Sequence, residues 1–235
     1  MLLDIKNIDV LYDDFQVIWD VSLNVKKGEM VALLGPNGSG KSTILNTISN
    51  LISHKNGNIS FNEKSISKIP TYERTKIGIS HVLERRRVFP HLTVLRNLLL
   101  GAWHKEAKKV REKSLKEIYE IFPKLKTRSN QLASTMSGGE QQMLAIARGL
   151  MGLPKLLMID EPFLGLSPLV VKDLIKIFKN IVSHGISILF VEQNVRLALS
   201  MADRGYVLES GRLVIDGNSK DLVENEKGKK VFLGN

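Results

Sequence analysis

The chain of 235 residues contains no cysteine. This absence excludes a disulfide scaffold, a cysteine-ligated zinc or iron–sulfur site and a thiol nucleophile. No apolar run approaches the roughly 18–20 residues that a membrane-spanning helix needs. The first residues, Met1-Leu-Leu-Asp-Ile-Lys-Asn7, lack the basic-then-apolar order of a signal peptide. We therefore expect a soluble or peripheral protein.

Positive charge is in excess, but it is confined to one segment. The chain has 34 Lys and Arg against 24 Asp and Glu, which gives a formal charge of +10. Residues 85–130 hold 13 basic and 4 acidic side chains, and the remainder is almost balanced. A basic patch can serve nucleic acid, an anionic membrane surface or a solvated helix face. Composition alone leaves these three alternatives open.

The order of the predicted elements indicates an α/β core interrupted by a helical insert. Residues 85–151 are helical in pattern and strongly charged, and they include an amphipathic helix over 105–122 that Pro123 ends. A helix is also expected after residue 40 and another around 171–182. Strand patterns occupy 2–10, 15–25, 30–34, 58–61, 77–82, 156–159 and 186–191, and 206–215 reads as a hairpin.

A glycine-rich loop follows the apolar strand at 30–34. Its sequence, Gly-Pro-Asn-Gly-Ser-Gly-Lys-Ser, matches G-x-x-x-x-G-K-[ST] in full. Backbone N–H groups of such a loop, together with the next helix N-terminus, bind phosphate oxygens. Lys41 should neutralise the β- and γ-phosphates, and Ser42 should offer its hydroxyl to Mg²⁺. The predicted phosphate-binding residues are Gly35, Pro36, Asn37, Gly38, Ser39, Gly40, Lys41, Ser42 and Thr43.

An acidic pair ends the apolar strand at 156–159. Asp160 and Glu161 would lie at the carboxyl edge of the sheet, where open α/β folds bind ligands. Asp160 is therefore a candidate partner of Mg²⁺, and Glu161 is the candidate base or water-orienting group. A solvated acidic turn is the alternative, but the phosphate loop upstream argues against it.

A phosphate loop with an acidic strand end also fits a GTPase, a small kinase or a helicase-like motor. The sequence Met-Ser-Gly-Gly-Glu-Gln-Gln at 136–142 separates these classes, and the guanine-selecting Asn-Lys-x-Asp is absent. With this motif the chain resembles the ATP-binding subunits of ABC transporters over its whole length. The resemblance implies a P-loop NTPase, RecA-like α/β core at 1–84 and 155–235, an antiparallel β subdomain, and a helical subdomain at 85–154.

Further residues of this chain match positions that have assigned roles in this family. Ser137, Gly138, Gly139 and Glu140 form its signature, a second phosphate site at a helix N-terminus that binds ATP held by a head-to-tail partner ATPase. Tyr12 stands where the family stacks an aromatic ring on adenine, although a core aromatic is the alternative. Glu84 occupies the Q-loop position beside the metal, and Gln193 occupies the switch position that is usually histidine.

The residues around Glu84 and Gln193 resemble one Liv-type ATPase of branched-chain amino-acid importers, although Leu83 and Arg85 differ from the expected Pro and Gly. This resemblance implies ATP and Mg²⁺ as cofactors and permease subunits as partners, with indirectly an extracytoplasmic solute-binding protein. It also implies a second ATPase subunit, and it favours a sister ATPase over the alternative, a second copy of this chain. It implies a peripheral location on the cytoplasmic face of the cell (inner) membrane and no nucleic acid. Import of urea or short amides, or a lipid-directed ABC system, remains the alternative.

Overall fold

The structure is a computed structural model, and it describes residues 1–224. The chain forms two compact units, of which the first contains Met1–Thr71 and the chain from Ser187 onward, and the second contains Tyr72–Ile186. Residues 225–235 of the predicted core lie outside the described residues. The predicted division, with a helical subdomain at 85–154, stays a prediction.

An antiparallel sheet of four strands belongs to the first unit. Its order is β2 (Phe15–Val25), β1 (Leu3–Tyr12), β4 (His54–Phe61) and β5 (Lys64–Ser65). In the first half of β1 the odd-numbered residues Leu3 and Ile5 are buried, and in the second half the even-numbered residues Ile8 and Val10 are buried. The alternation of buried positions therefore shifts by one residue within the strand. The pairing with β2 shifts between Ile5 and Ile8, where Asn7 has a φ of 51°. A β-bulge thus keeps both halves of the strand facing the core.

A second group of strands in the same unit includes β3, the strand that precedes the phosphate loop. β3 (Met30–Leu34) pairs in parallel with β8 (Ser187–Glu192) and with β9 (Arg204–Glu209), and β10 (Arg212–Asn218) runs antiparallel to β9. All five residues of β3 are buried, as its continuous apolar run predicts for a strand covered on both faces. The helices here are α1 (Lys41–Ile48), α9 (Val195–Leu199) and α10 (Ser219–Glu224).

In the second unit β6 (Ile79–Val82) pairs in parallel with β7 (Leu156–Asp160). Helices supply the rest of its regular structure. They are α2 (Thr71–Lys76), α3 (Val94–Gly101), α4 (Lys105–Lys109), α5 (Arg111–Ile121), α6 (Pro123–Thr127), α7 (Gly138–Leu150) and α8 (Pro168–Ser183), with a 3-10 turn at Ala133–Thr135.

The single helix predicted over 105–122 is wrong in one respect. The chain breaks at Val110 (φ −113°, ψ 14°), so that α4 and α5 are separate helices. Pro123 does not only end α5 but also occupies the first turn of α6, where its missing N–H costs no hydrogen bond. Within residues 1–224, none of the helices combines the length and apolar composition that a bilayer crossing requires.

Candidate functional site

The phosphate loop joins β3 to α1 in a backbone path that requires glycine at its last turn. Gly40 has a φ of 102°, in the left-handed region that L side chains rarely adopt, and immediately precedes Lys41 at the start of α1. A Cβ at this position would lie 2.5 Å from Cδ1 of Ile18. The glycine therefore allows both the turn and the close approach of β2, and it leaves the first N–H groups of α1 without a side-chain cap.

Lys41 is folded back over the loop. Its Nζ donates hydrogen bonds to the carbonyl oxygens of Gly35 at 2.9 Å and Pro36 at 2.8 Å, and only 4% of the residue is exposed. A buried ammonium needs oxygen partners, and here the loop itself supplies two of them. The ammonium therefore lies within the loop that is predicted to bind phosphate.

Tyr12 contacts the residue that follows the phosphate-loop motif. Its hydroxyl lies 3.3 Å from Oγ1 of Thr43 in α1, and 45% of the residue is exposed. The tyrosine is thus held at its polar end and is open to solvent over much of its surface. This arrangement favours the predicted stacking role over that of a core aromatic, since a core ring would be fully buried.

The turn after β8 carries Gln193. The buried carboxylate of Glu192 accepts hydrogen bonds from the backbone N–H groups of Gln193 at 3.2 Å and Asn194 at 3.5 Å. Asn194 then caps α9 by accepting from the N–H of Leu197 at 3.0 Å. Sequence reasoning missed Glu192, whose carboxylate shapes the turn that presents Gln193.

The acidic pair lies at the end of β7 in the second unit. Every residue of β7 is buried, and Asp160 at its end is 5% exposed. Glu161 follows with a φ of 46°, which is unusual for a residue other than glycine. Such strained backbone is commonly found at functional sites because the surrounding structure must hold it.

Glu84 lies beyond β6 and faces a neighbouring cation. Nε of Arg85 lies 3.5 Å from its Oε1, and the Glu84 side chain is 40% exposed. Its backbone carbonyl accepts a 3.4 Å hydrogen bond from Nε of Arg87. An ion pair this exposed contributes little to stability, so the carboxylate can readily exchange its partner.

The signature motif forms a capping box at the start of α7. The Ser137 hydroxyl accepts from the Glu140 N–H, while Oε2 of Glu140 accepts from the Ser137 N–H at 3.0 Å and from its hydroxyl at 2.9 Å. Oε1 of Glu140 lies 3.0 Å from Arg128. Burial raises the pKa of Glu140, but the hydrogen bonds from Ser137 and the charge of Arg128 outweigh it and lower this pKa overall.

Replacing Glu140 by alanine should lower the free energy of unfolding by about 1 kcal/mol at pH 7, as the loss of a helix cap typically does. Because the pKa of Glu140 is below its ordinary value of 4.5, its contribution is complete above that pH and declines as the pH falls further. Urea unfolding of both proteins at pH 7 and below pH 4 would measure this, with Glu120→Ala as the exposed control. A difference independent of pH would contradict the assignment.

The two signature glycines accept close neighbours from other segments. A Cβ on Gly139 would lie 2.9 Å from Cγ1 of Val170 in α8, and one on Gly138 would lie 2.3 Å from a guanidinium nitrogen of Arg86. Sequence reasoning found neither Arg86 nor Val170 as a neighbour of the signature. Both contacts depend on distant parts of the chain, and no local pattern signals them.

The chain is similar to known proteins over almost its whole length. The family model for ABC transporters matches residues 18–164. The chain is 41% identical to the high-affinity branched-chain amino acid transport ATP-binding protein BraG of Pseudomonas aeruginosa, over 99% of this chain and 100% of that protein. It is 37% identical to the probable branched-chain amino acid transport ATP-binding protein LivF of Archaeoglobus fulgidus, over 95% and 94%. It is also 32% identical to the lipopolysaccharide export system ATP-binding protein LptB of Escherichia coli, over 97% and 95%.

Solved structures give the same result. The ADP conformation of MJ1267, an ATP-binding cassette of an ABC transporter, aligns with a TM-score of 0.86 and 26% identity over 100% of this chain and 99% of that one. This similarity confirms the α/β fold of an ABC cassette. The chain belongs to the ABC transporter family, as an ATP-binding subunit homologous to those of branched-chain amino acid transporters.

Proposed function

We propose that this chain hydrolyses ATP to drive the import of branched-chain amino acids through partner membrane subunits. The observation that carries the proposal is its similarity, over almost the whole chain, to BraG. The sequence around Glu84 and Gln193 supports the same assignment, since glutamate and glutamine at these positions resemble the Liv-type subunits.

The proposal assigns the nucleotide phosphates to residues 35–43 and adenine to Tyr12. Mg²⁺ prefers oxygen ligands and is usually bound by one or two carboxylates together with substrate phosphates. Taken singly, the hydroxyl of Ser42 and the carboxylates of Asp160 and Glu84 are oxygen ligands of this kind, and the chemistry of each fits the ion. When bound, Mg²⁺ neutralises charge on the phosphate groups, while Lys41 binds the same groups through its ammonium.

We assign the activation of water to Glu161. A carboxylate can accept a proton from the attacking water, whereas the amide of Gln193 can only form hydrogen bonds to it or to the γ-phosphate. The histidine usual at the switch position can carry a proton near neutral pH, and glutamine cannot. Gln193 is therefore proposed to orient water, with Glu161 as the base.

A second ATPase subunit follows from the two phosphate-binding motifs. Each nucleotide would lie between the phosphate loop of one subunit and residues 137–140 of the other. The Liv-type resemblance favours a sister ATPase over a second copy of this chain. ATP binding would close the pair, and hydrolysis with product release would reopen it.

A groove in the second unit is proposed to receive a permease subunit. It has a volume of about 400 Å³ and is lined by residues that include Phe89, Leu100, Trp103 and Arg148. Phe89, Leu100 and Trp103 are 40–48% exposed, and the Arg148 guanidinium stacks 5.0 Å from the Phe89 ring centroid. Exposed apolar side chains beside cations suit an amphipathic segment with acidic groups. The groove includes Phe89 and Leu100, which lie in the segment 88–100 after Glu84, and we propose that this segment couples ATP binding and hydrolysis to the permease.

We propose that the basic segment, residues 85–130, makes a second contact, with the cytoplasmic face of the membrane itself. Two of its lysines have glutamate partners on their own helices, since Lys109 lies 2.9 Å from Glu106 and Lys113 lies 3.8 Å from Glu117. Lys105 and Lys108 have no such ion pair among the described residues. Anionic lipids attract each nearby lysine by about 1 kcal/mol, and all four lysines contribute to the proposed docking charge because ion pairs this exposed exchange their partners readily.

The test of this function is the complete complex. Purification of the chain with its membrane subunits, followed by reconstitution in liposomes with the copurified solute-binding protein, should give ATP hydrolysis that leucine, isoleucine or valine stimulates. Urea and short amides are the control solutes, and stimulation by these instead would overturn the substrate assignment. The Lys41→Ala complex should show no hydrolysis with any solute.

A lipid-directed system is the second candidate, and the similarity to LptB is the observation that favours it. LptB is an ATP-binding protein of lipopolysaccharide export, and it matches 97% of this chain. The purification distinguishes the two candidates, because a lipid-directed complex would contain no solute-binding protein and its ATP hydrolysis would respond to lipid instead of amino acids.

A further inference from the structure

The guanidinium of Arg86 lies against the first residue of the signature helix. The position that a Cβ would take on Gly138 is 2.3 Å from Nη1, 2.7 Å from Cζ and 2.9 Å from Nη2 of Arg86. The guanidinium thus fills the space that the glycine leaves free. Its Nη2 is also 3.7 Å from the corresponding position on Gly165, in the loop before α8. One side chain therefore contacts the signature and lies near the segment that leads into α8.

The backbone that carries Arg86 is strained. Arg85, Arg86 and Arg87 have φ values of 64°, 66° and 34°, and none of the three is a glycine. Each left-handed residue of this kind costs about 1 kcal/mol or more, so the surrounding contacts must hold the loop in place. Strain of this type is often found where a segment must present a side chain in one direction.

The other end of the same helix contacts the same loop. Arg148, in the last turns of α7, donates a 2.6 Å hydrogen bond from Nη2 to the carbonyl of Arg87. Its Nη1 lies 3.4 Å from Oδ1 of Asn97, which also accepts from the N–H of Phe89 at 2.8 Å. The loop after Glu84 thus contacts α7 at Gly138 through Arg86 and near its carboxyl end through Arg148.

Arg86 lacks the polar partners that Arg148 has. Among residues 1–224, no carboxylate lies within ion-pair distance of the Arg86 guanidinium, and the guanidinium donates no hydrogen bond. The side chain is half-buried, whereas the Arg85 side chain beside it is 82% exposed and faces Glu84. A charged group that is partly buried without a partner is costly, and that cost suggests a function.

We propose that Arg86 is a positioning residue that links the loop after Glu84 to the signature. This inference rests on the proposed function, in which that loop borders the permease groove and the signature binds the nucleotide of the opposing subunit. A shift of the loop would move the guanidinium and change the position of Gly138 and the N-terminus of α7. Arg86 would thereby couple permease contact to closure on ATP.

The experiment compares Arg86→Ala, Arg86→Lys and Arg85→Ala in the assembled transporter. Arg85 is the matched control because it has the same side chain and the same left-handed backbone, but its side chain is 82% exposed and its 3.5 Å ion pair with Glu84 is of the exposed kind that contributes little. We expect Arg86→Ala to lower kcat for ATP hydrolysis about tenfold, with KM for ATP changed less than twofold. Arg86→Lys should restore part of the rate, and Arg85→Ala should remain within twofold of the wild type.

Two further measurements separate the possible outcomes. Equal thermal midpoints of the variants would show that the kcat effect is not a folding defect. If Arg86→Ala fails to fold, the test is the kcat of Arg86→Lys, which should be lower than that of Arg85→Ala. Equal rates for Arg86→Ala and Arg85→Ala, or a loss seen only in KM, would overturn the inference. Lys41→Ala in the same preparation tests the proposed function itself, because undiminished hydrolysis there would overturn the ATPase site and not Arg86 alone.

Discussion

Glu161→Gln should lower steady-state ATP hydrolysis by the assembled transporter at least about 100-fold, which is the usual contribution of a general base. The amide keeps the shape of the side chain and can still accept a hydrogen bond from water, but it cannot take up the proton. Because phosphate binding is assigned to other groups, ATP affinity should remain within about threefold of the wild type. The measurement is phosphate release at saturating MgATP, together with equilibrium binding of a fluorescent ATP analogue.

Two comparisons make the Glu161 prediction specific. Glu112→Gln removes an exposed carboxylate on α5 and should leave the rate unchanged. Gln193→Ala should reduce the rate much less than Glu161→Gln, since position 193 carries no proton. Near wild-type hydrolysis by Glu161→Gln would show that another group activates water. A loss from Gln193→Ala as large as that from Lys41→Ala would show the same.

Lys41→Ala should weaken ATP binding by at least about 100-fold. Hydrogen bonds to charged groups contribute about 1.5–3 kcal/mol each, and the ammonium forms two with loop carbonyls that phosphate oxygens would replace. Nucleotide raises the stability of a protein that binds it, so the ATP-dependent shift of the thermal midpoint is a direct measurement. The wild-type protein should show this shift and the variant should not.

The variant must also be compared without nucleotide, because Lys41 holds the carbonyls of Gly35 and Pro36 in the free protein. Without nucleotide the variant should already lose some stability, because those carbonyls lose their donor, and with ATP the difference from the wild type should grow by the shift that only the wild type shows. Lys64→Ala removes an exposed lysine on β5 and should leave the ATP-dependent shift intact. A Lys41→Ala protein that retains the full shift would contradict the assigned role.

The fold was largely predictable because its central strands are continuous runs of apolar residues. The apolar runs at 30–34 and 156–159 correspond to β3 and β7, each buried at every position. The amphipathic pattern at 105–122 was less informative. A 3.6-residue period is the same on both sides of a break, so the pattern could not reveal the interruption at Val110.

The candidate site also has parts that the sequence predicts and parts that it does not. The phosphate loop is a contiguous motif in which residue type and chain geometry are determined together, so eight successive residues were enough to predict it. Glu140 was assigned to nucleotide binding from its place in the signature, and that role stays a prediction. In the structure its side chain forms the capping box with Ser137 and an ion pair with Arg128. The spacing of Ser137 and Glu140 is a known capping pattern, so the sequence contained that signal.

The sequence by itself determined the chemistry that this protein can perform: an ammonium and a hydroxyl after a glycine loop, two carboxylates after a buried strand, and a family whose members combine them. Tertiary structure alone decided which side chains meet across distant segments, such as Arg86 on Gly138, Val170 on Gly139 and Tyr12 beside Thr43. The physical reason is that local patterns encode the period and caps of one element. Contacts between distant elements depend on the tertiary packing of the whole chain. A glycine in the sequence does not indicate which neighbouring side chain will fill the space beside it.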